Sequence, residues 1–387
     1  MKRFVFSSES VSEGHPDKVA DQISDSILDA LLAKDPMSRV AAETFVATEL
    51  AVVAGEITSA GFEEVDIEKI VRDTILGIGY DSEERGMDGA NCQIMQRLVE
   101  QSPDIAQGTA ARQDGNIGAG DQGMMFGYAQ NNDVADDDYM PVPISLAHAL
   151  TRRMTEVRRK GILPYIRPDT KSQVSVRFEN DQPVGIDAVV LAAQHDDGIA
   201  QETIQADLKE HVAHHVLSDE WLEGTEFFIN HTGKFVKGGP SADTGLTGRK
   251  IIVDTYGGWT PHGGGAFSGK DSTKVDRSAA YYSRYAAKNL VAAGVADKLQ
   301  IQVAYSIGSL QPVSYNVQTF GTGAISDNAI VKLLKTEFSF APGDIISELG
   351  LRDPIFKPTA AYGHFGRRDV DLPWERLDRV DAVAEHL

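Results

Sequence analysis

Between His231 and Arg277 the chain carries seven Lys or Arg side chains, four Asp and eleven glycines. Glycines on this scale let backbone amides approach a ligand closely, and the basic excess suits a polyphosphate. The loop 257–271 ends in Lys270 and Asp271, and Lys274 follows one helical turn later, so both ammonium groups project from one face. With Asp276 nearby, such a helix start could compensate phosphate charge directly and through a metal ion. Gly264, Gly269 and Lys270 fit the P-loop pattern, but Asp271 stands where that pattern has Ser or Thr, and the loop is too long for its tight turn. A standard P-loop is therefore excluded. The same residues in isolation would also suit a solvated, salt-bridged surface.

A second candidate lies at Ser12-Glu13-Gly14-His15-Pro16-Asp17-Lys18. Pro16 suits the first position of a helix, which places His15 and Asp17 at its N-terminus. Free amides there attract anions, and a carboxylate beside them can hold a magnesium that bridges phosphate oxygens. Asp17 could equally do no more than complement the helix dipole, with His15 as an incidental cap. Glu43, Glu56 and Asp121 are single carboxylates among 57 acidic residues, and spacing alone does not select them. The histidines lack metal-ligand spacing such as HExxH and no serine lies in a GxSxG elbow, which leaves zinc hydrolysis and serine acyl transfer poorly supported. A lone Cys92 supplies neither an internal disulfide nor a paired-thiolate zinc site.

Three similar units must position these residues. Apolar strands are expected at 3–6, 124–128 and 250–256, each leading into a helix near 17–33, 144–160 and 272–293. Strand pairs follow at 40–46 with 50–57, 173–178 with 184–193, and 300–307 with 314–320. Second helices near 67–76, 201–216 and 327–338 close the units. The order strand, helix, strand, strand, helix recurs at a domain-sized interval, so three similar sheets with helices packed on them are expected. Residues 101–120 are small, polar and without periodicity, as in a disordered insertion or an active-site lid.

At 387 residues the length suits two or three domains, and 42% apolar with 24% charged residues is an ordinary globular composition. The net charge of −20 disfavours nucleic acid and anionic membrane as partners. The absence of a long apolar run, and of an apolar core in the first ten residues, predicts a cytoplasmic protein. A nucleotide phosphohydrolase, or a nonenzymatic subunit that binds ATP and regulates a partner, would also use a basic glycine loop.

The strings GHPDK at 14–18, GAGDQG at 118–123, GLTGRKIIVDTYGG at 245–258 and GGGAFSGKD at 263–271 are more specific. In this order they resemble the S-adenosylmethionine synthetase family, from Phe6 to about Trp374. The resemblance implies an α+β fold of three β-α-β-β-α domains about a pseudo-threefold axis, with chain segments interleaved. The domains would span 3–101, 118–235 and 237–374, with a mobile lid at 102–117. It implies ATP and L-methionine as substrates, a pair of magnesium ions and potassium as cofactors, and a dimer of dimers with active sites between subunits.

By the same resemblance His15, Lys171, Arg249, Lys250, Lys270 and Lys274 would surround the triphosphate. Asp17 and Asp276 would bind magnesium and Glu43 potassium. Glu56, Gln101, Asp243 and Lys274 would position methionine, while Asp121, Asp169, Lys234, Phe235, Asp243 and Ala266 would line the nucleotide. Two positions depart from the family's common pattern: Lys234 stands where TGRFV has arginine, and Ser241-Ala242-Asp243-Thr244 replaces a Gly-Asp pairing.

Overall fold

The computed structural model describes residues 2–100, 117–132 and 139–387. The first unit runs β1 (Arg3–Val11), α1 (Pro16–Lys34), β2 (Arg39–Ala47), β3 (Leu50–Thr58), α2 (Ile67–Ile78) and β4 (Gln93–Val99). The second runs β5 (Gly123–Gln130), α3 (Val142–Arg159), β6 (Ile166–Glu179), β7 (Gln182–His195), α4 (Gln201–Leu208) and β8 (Glu226–Ile229). The third runs β9 (Gly245–Leu246), α5 (Val275–Ala292), β10 (Lys298–Tyr305), β11 (Ser314–Gln318) and α6 (Asp327–Glu337).

The opening strand of each unit completes the sheet of another. β1 joins the second unit in the order β1-β6-β7-β8, β5 joins the third as β11-β10-β5, and β9 joins the first as β9-β2-β3-β4. The exchange is cyclic, as interleaved segments about a pseudo-threefold axis require. No unit can fill its own sheet, so the three depend on one another for backbone hydrogen bonds. β1 runs antiparallel to β6 with Val11 opposite Lys171, and this register carries the chain from the β1-β6-β7-β8 sheet directly into the start of α1.

The local signals are chemical. α1 begins with Pro16 at its first position, and the His15 ring caps it by accepting the Asp17 amide at 3.1 Å. α2 is capped by Asp66 and stops at Gly79, whose φ of 111° is left-handed. α5 is buried almost all round, with Tyr281, Tyr282 and Tyr285 packed against neighbouring aromatics, which marks it as an interior helix. Its start is one turn later than the sequence predicts. The Asp271 side chain accepts both the Thr273 amide (3.0 Å) and hydroxyl (2.6 Å), holding 271–274 in a turn ahead of the helix.

The strand expected at 250–256 is absent, and Ile251–Asp254 form a helical turn instead. The β-branched run suggested a strand, but the edge of β2 is already taken by Gly245–Leu246, opposite Val46 and Phe45. Gly245 passes so close to the Pro16 carbonyl that a Cβ there would collide with it. Coiling the next residues turns the buried Asp254 carboxylate toward Lys18. The helix expected at 201–216 is interrupted by one π turn at Lys209–Ala213. Among the described residues no helix is long and apolar enough to cross a membrane.

Candidate functional site

The turn after β1 is tied to β6: the Ser12 hydroxyl donates to the Pro168 carbonyl at 2.7 Å and accepts the Thr170 amide at 2.9 Å. This seats His15 and Asp17 beside Asp169 and Lys171. The Asp17 carboxylate is fully buried, yet it accepts the Leu246 amide (3.0 Å) and pairs with Arg249 (3.1 Å) and Lys250 (2.7 Å). Burial, then the charges of Lys250, Lys171, Lys18 and Arg249, push the His15 pKa down to about 2. Its Nδ1 accepts a backbone N–H, so His15 is a neutral ring whose Nε2 carries the proton.

Asp169 is buried with one oxygen bonded to the Gly239 amide at 2.9 Å and the other without a partner among the described residues. Burial pushes its pKa up to about 6; the Gly239 amide and Lys171 oppose that rise, and Asp243 and Asp17 add to it. Asp243 is exposed, its carboxylate accepting the Thr244 amide at 2.8 Å.

A second set gathers where the glycine loop meets α5. Lys270 pairs with Asp276 at 2.6 Å, and Lys274 pairs with Asp271. Lys270 also lies against Ala41, extending the edge of β2 beyond β9. The loop 118–123 rests on the same turn, since a Cβ on Gly120 would lie 2.9 Å from the Thr273 carbonyl and one on Gly123 would lie 3.3 Å from Asp276. Asp121 is exposed in that loop, accepting the Gln122 amide at 2.7 Å. Ala266 packs on Gly248, joining the loop to the Arg249 segment. The two sets share no ion pair among the described residues.

Glu43 and Glu56 both stand exposed on the outward face of the β9-β2-β3-β4 sheet, where Ala41 is opposite Glu56 and Glu43 opposite Ala54. Phe45, Val52, Met95 and Val99 share this face by register, the last two 50% and 44% exposed. Lys234 is not brought to either set: its side chain is 78% exposed and its ammonium group pairs with Asp197 at 2.9 Å. Phe235 is half-buried and bonded through its backbone to His195. Gln101 and the segment expected to be a lid lie outside the described residues, apart from Ile117.

Sequence reasoning passed over the buried charges beneath the site. Lys18 pairs with Asp21 at 2.9 Å and with Asp254, and Arg277 pairs with Asp25 at 2.7 Å. The available signal was the four-residue spacing of Asp17, Asp21, Asp25 and Asp29 on a predicted helix.

No group of three or more His, Cys, Asp or Glu forms a metal cage among the described residues. Asp17 and Asp276 offer single carboxylates beside cations that suit phosphate. That donor set fits magnesium, which binds through one or two carboxylates and completes its shell with substrate phosphates and water.

The chain matches three family profiles: S-adenosylmethionine synthetase N-terminal domain over 3–103, central domain over 116–235 and C-terminal domain over 237–376. It is 55% identical, over 397 aligned positions spanning both chains completely, to the S-adenosylmethionine synthase of Clostridium botulinum (strain Alaska E43 / Type E3).

Proposed function

The chain belongs to the S-adenosylmethionine synthetase family and makes S-adenosylmethionine from ATP and methionine, and from that premise we propose how its residues divide the work. The methionine sulfur attacks ribose C5′, the C5′–O bond breaks, and its electron pair leaves with intact tripolyphosphate. The product is a sulfonium. Sulfur has no proton to lose, so the reaction needs no general base; it needs alignment and stabilisation of charge on the leaving group. Each tenfold in rate is about 1.4 kcal/mol of such stabilisation, so several groups must act together.

The observation that supports this division is the convergence of Arg249, Lys250 and neutral His15 on the buried Asp17, with Lys171 close by. His15 donates from Nε2, while Lys171, Arg249, Lys250, Lys270 and Lys274 compensate the triphosphate. Asp17 and Asp276 would hold magnesium, and Glu43 potassium, which supply further shielding of phosphate charge. Asp121, Asp169, Phe235 and Ala266 surround the adenosine, and Glu56 and Asp243 orient methionine together with Lys274. Lys234, in this proposal, reaches the nucleotide only by leaving Asp197. The same cations then orient tripolyphosphate for hydrolysis to pyrophosphate and phosphate before release.

The separation of the two cation sets supports a site assembled from two copies of the chain, within a dimer of dimers. The outward face of the β9-β2-β3-β4 sheet is the surface proposed to meet its copy, because it sets apolar Met95 and Val99 beside Glu43 and Glu56. The domains are proposed to span 3–101, 118–235 and 237–374, and the enzyme to work in the cytoplasm. Incubation with ATP, methionine, Mg2+ and K+ tests the reaction: sulfonium product, pyrophosphate and phosphate should form together, and only with methionine present. ADP formed without methionine would instead indicate a phosphohydrolase.

A further inference from the structure

α1 carries aspartates at 17, 21, 25 and 29. A four-residue spacing puts them on one face, about 6 Å apart along the axis. Asp17, Asp21 and Asp25 have no solvent exposure. Buried like charges in a row are costly unless each has a specific partner, so their partners indicate what they are for.

Each carboxylate takes a backbone amide from a distant segment. Asp21 accepts the Gly248 amide at 2.8 Å, one residue before Arg249. Asp25 accepts the Gly269 amide at 2.9 Å, one residue before Lys270. Asp29 accepts the amides of Phe356 (3.0 Å) and Lys357 (2.8 Å). Cations complete the row: Lys18 bridges Asp21 and Asp254, and Arg277 grips both oxygens of Asp25 at 2.7 and 2.9 Å. Arg277 also donates to the Lys270 carbonyl at 3.2 Å, so Lys270 is bracketed on both sides by the Asp25–Arg277 pair.

We propose that Asp21 and Asp25 are positioning residues: through the Gly248 and Gly269 amides they fix Arg249–Lys250 and Lys270 in register along α1, and so set how the cations meet the phosphates. This rests on the reading that those cations hold the triphosphate. Asp17 pairs with the part-exposed Arg249 and Lys250, whereas Asp21 and Asp25 pair with Lys18 and Arg277, which are themselves fully buried, so these two carboxylates lie a layer beneath the groups that face substrate. Their effect falls on the placement of the cations, where a displacement of about 1 Å can cost roughly 100-fold in rate.

Asp21→Asn and Asp21→Ala separate this role from simple stability. Both leave Lys18 with Asp254 alone, but only asparagine still offers Gly248 an acceptor. The difference between them therefore reports that one bond. With both assayed well below their own melting midpoints, kcat for Asp21→Asn should exceed that of Asp21→Ala by about tenfold or more, with KM for methionine within about threefold. Equal kcat values would overturn the proposal. Should the alanine variant fail to fold, hydrogen exchange decides on the parent and Asp21→Asn: the Gly248 amide should be strongly protected in both, and exchange at the rate of a free amide in the parent would overturn it. Lys250→Ala belongs in the same series. Full synthesis by that variant faults the reading of the cations, whereas its loss alongside equal Asn and Ala rates faults the positioning role alone.

Discussion

The carboxyl group of Asp276 occupies the space that a side chain on Gly265 would need: a Cβ built there would overlap the carboxyl carbon. The glycine loop is thus the wall that holds one proposed metal-binding carboxylate against Lys270. Gly265→Ala should push Asp276 aside without unfolding a loop on the surface of the site. Synthesis should fall by about 100-fold, in the range seen when preorganised electrostatic groups are misplaced, while the thermal midpoint shifts by only a few degrees. Turnover near that of the parent would show that Asp276 tolerates displacement.

Asp17→Asn and Lys270→Ala should each remove most turnover while leaving the fold intact. In the first, asparagine still accepts the Leu246 amide but no longer offers a full charge to a metal ion or to Lys250. In the second, Asp276 loses its cation partner. Circular dichroism with a parallel product assay checks both, and parent-like synthesis in either variant would refute its assignment.

The pH response of Asp169 follows from its burial. Its carboxyl group titrates near pH 6 in the folded protein, against an ordinary value near 3.8. The raised value means that the folded state holds its proton more tightly than the unfolded chain. Stability from this group is therefore complete below about pH 4 and is lost as pH rises through 6. For function the sign is reversed, because the proposed contact with adenosine uses the ionised form. kcat/KM for ATP should decline below pH 6 by up to tenfold per unit, and Asp169→Asn should lack that limb. An identical acid limb in the variant would assign it to another group.

His15 gives the opposite linkage. Its folded pKa lies near 2 against an ordinary 6.5, so the unfolded chain binds the proton first as pH falls. Its contribution is present above 6.5 and is lost below it, by about 1.4 kcal/mol per pH unit at most. His15→Asn keeps an acceptor for the Asp17 amide and removes the titration. The parent should therefore lose stability relative to the variant between pH 6.5 and 4, which denaturant melts at several pH values measure.

The outward face of the β9-β2-β3-β4 sheet provides a test of the assembly. Met95→Asp with Val99→Asp puts two charges on a surface proposed to meet its copy. Sedimentation should show a smaller species, and synthesis should fall with it. An unchanged sedimentation coefficient with full activity would move the interface elsewhere.

Much of this was legible in residue order. Helical period placed the three long helices, with Pro16 marking the start of the first, and alternation placed the paired strands. The family resemblance implied interleaved segments, but not that β1, β5 and β9 are the strands exchanged between units, since a strand's hydrophobic pattern states that it has a partner but not which one. The edge strand itself was misplaced because Gly245–Leu246 is short and carries no propensity signal, whereas Ile251-Ile252-Val253 carries a strong one that the crowded edge of β2 overrides. Of the candidate site, the glycine loop and the motif strings named the cations that the fold gathers at Asp17 and Asp276. Their division into two sets, the turning of Lys234 toward Asp197, and the aspartate row beneath them depend on long-range contacts and emerged only from the fold.

When carbon rather than phosphorus is attacked, the oxygen between them leaves with the phosphate chain. ATP carrying 18O in the bridge between C5′ and the α-phosphorus should deliver all of that label to the pyrophosphate and phosphate released, with none in the nucleoside product, which should be a sulfonium formed only with methionine. Label retained on ADP or AMP, with methionine unconsumed, would place the attack on phosphorus instead.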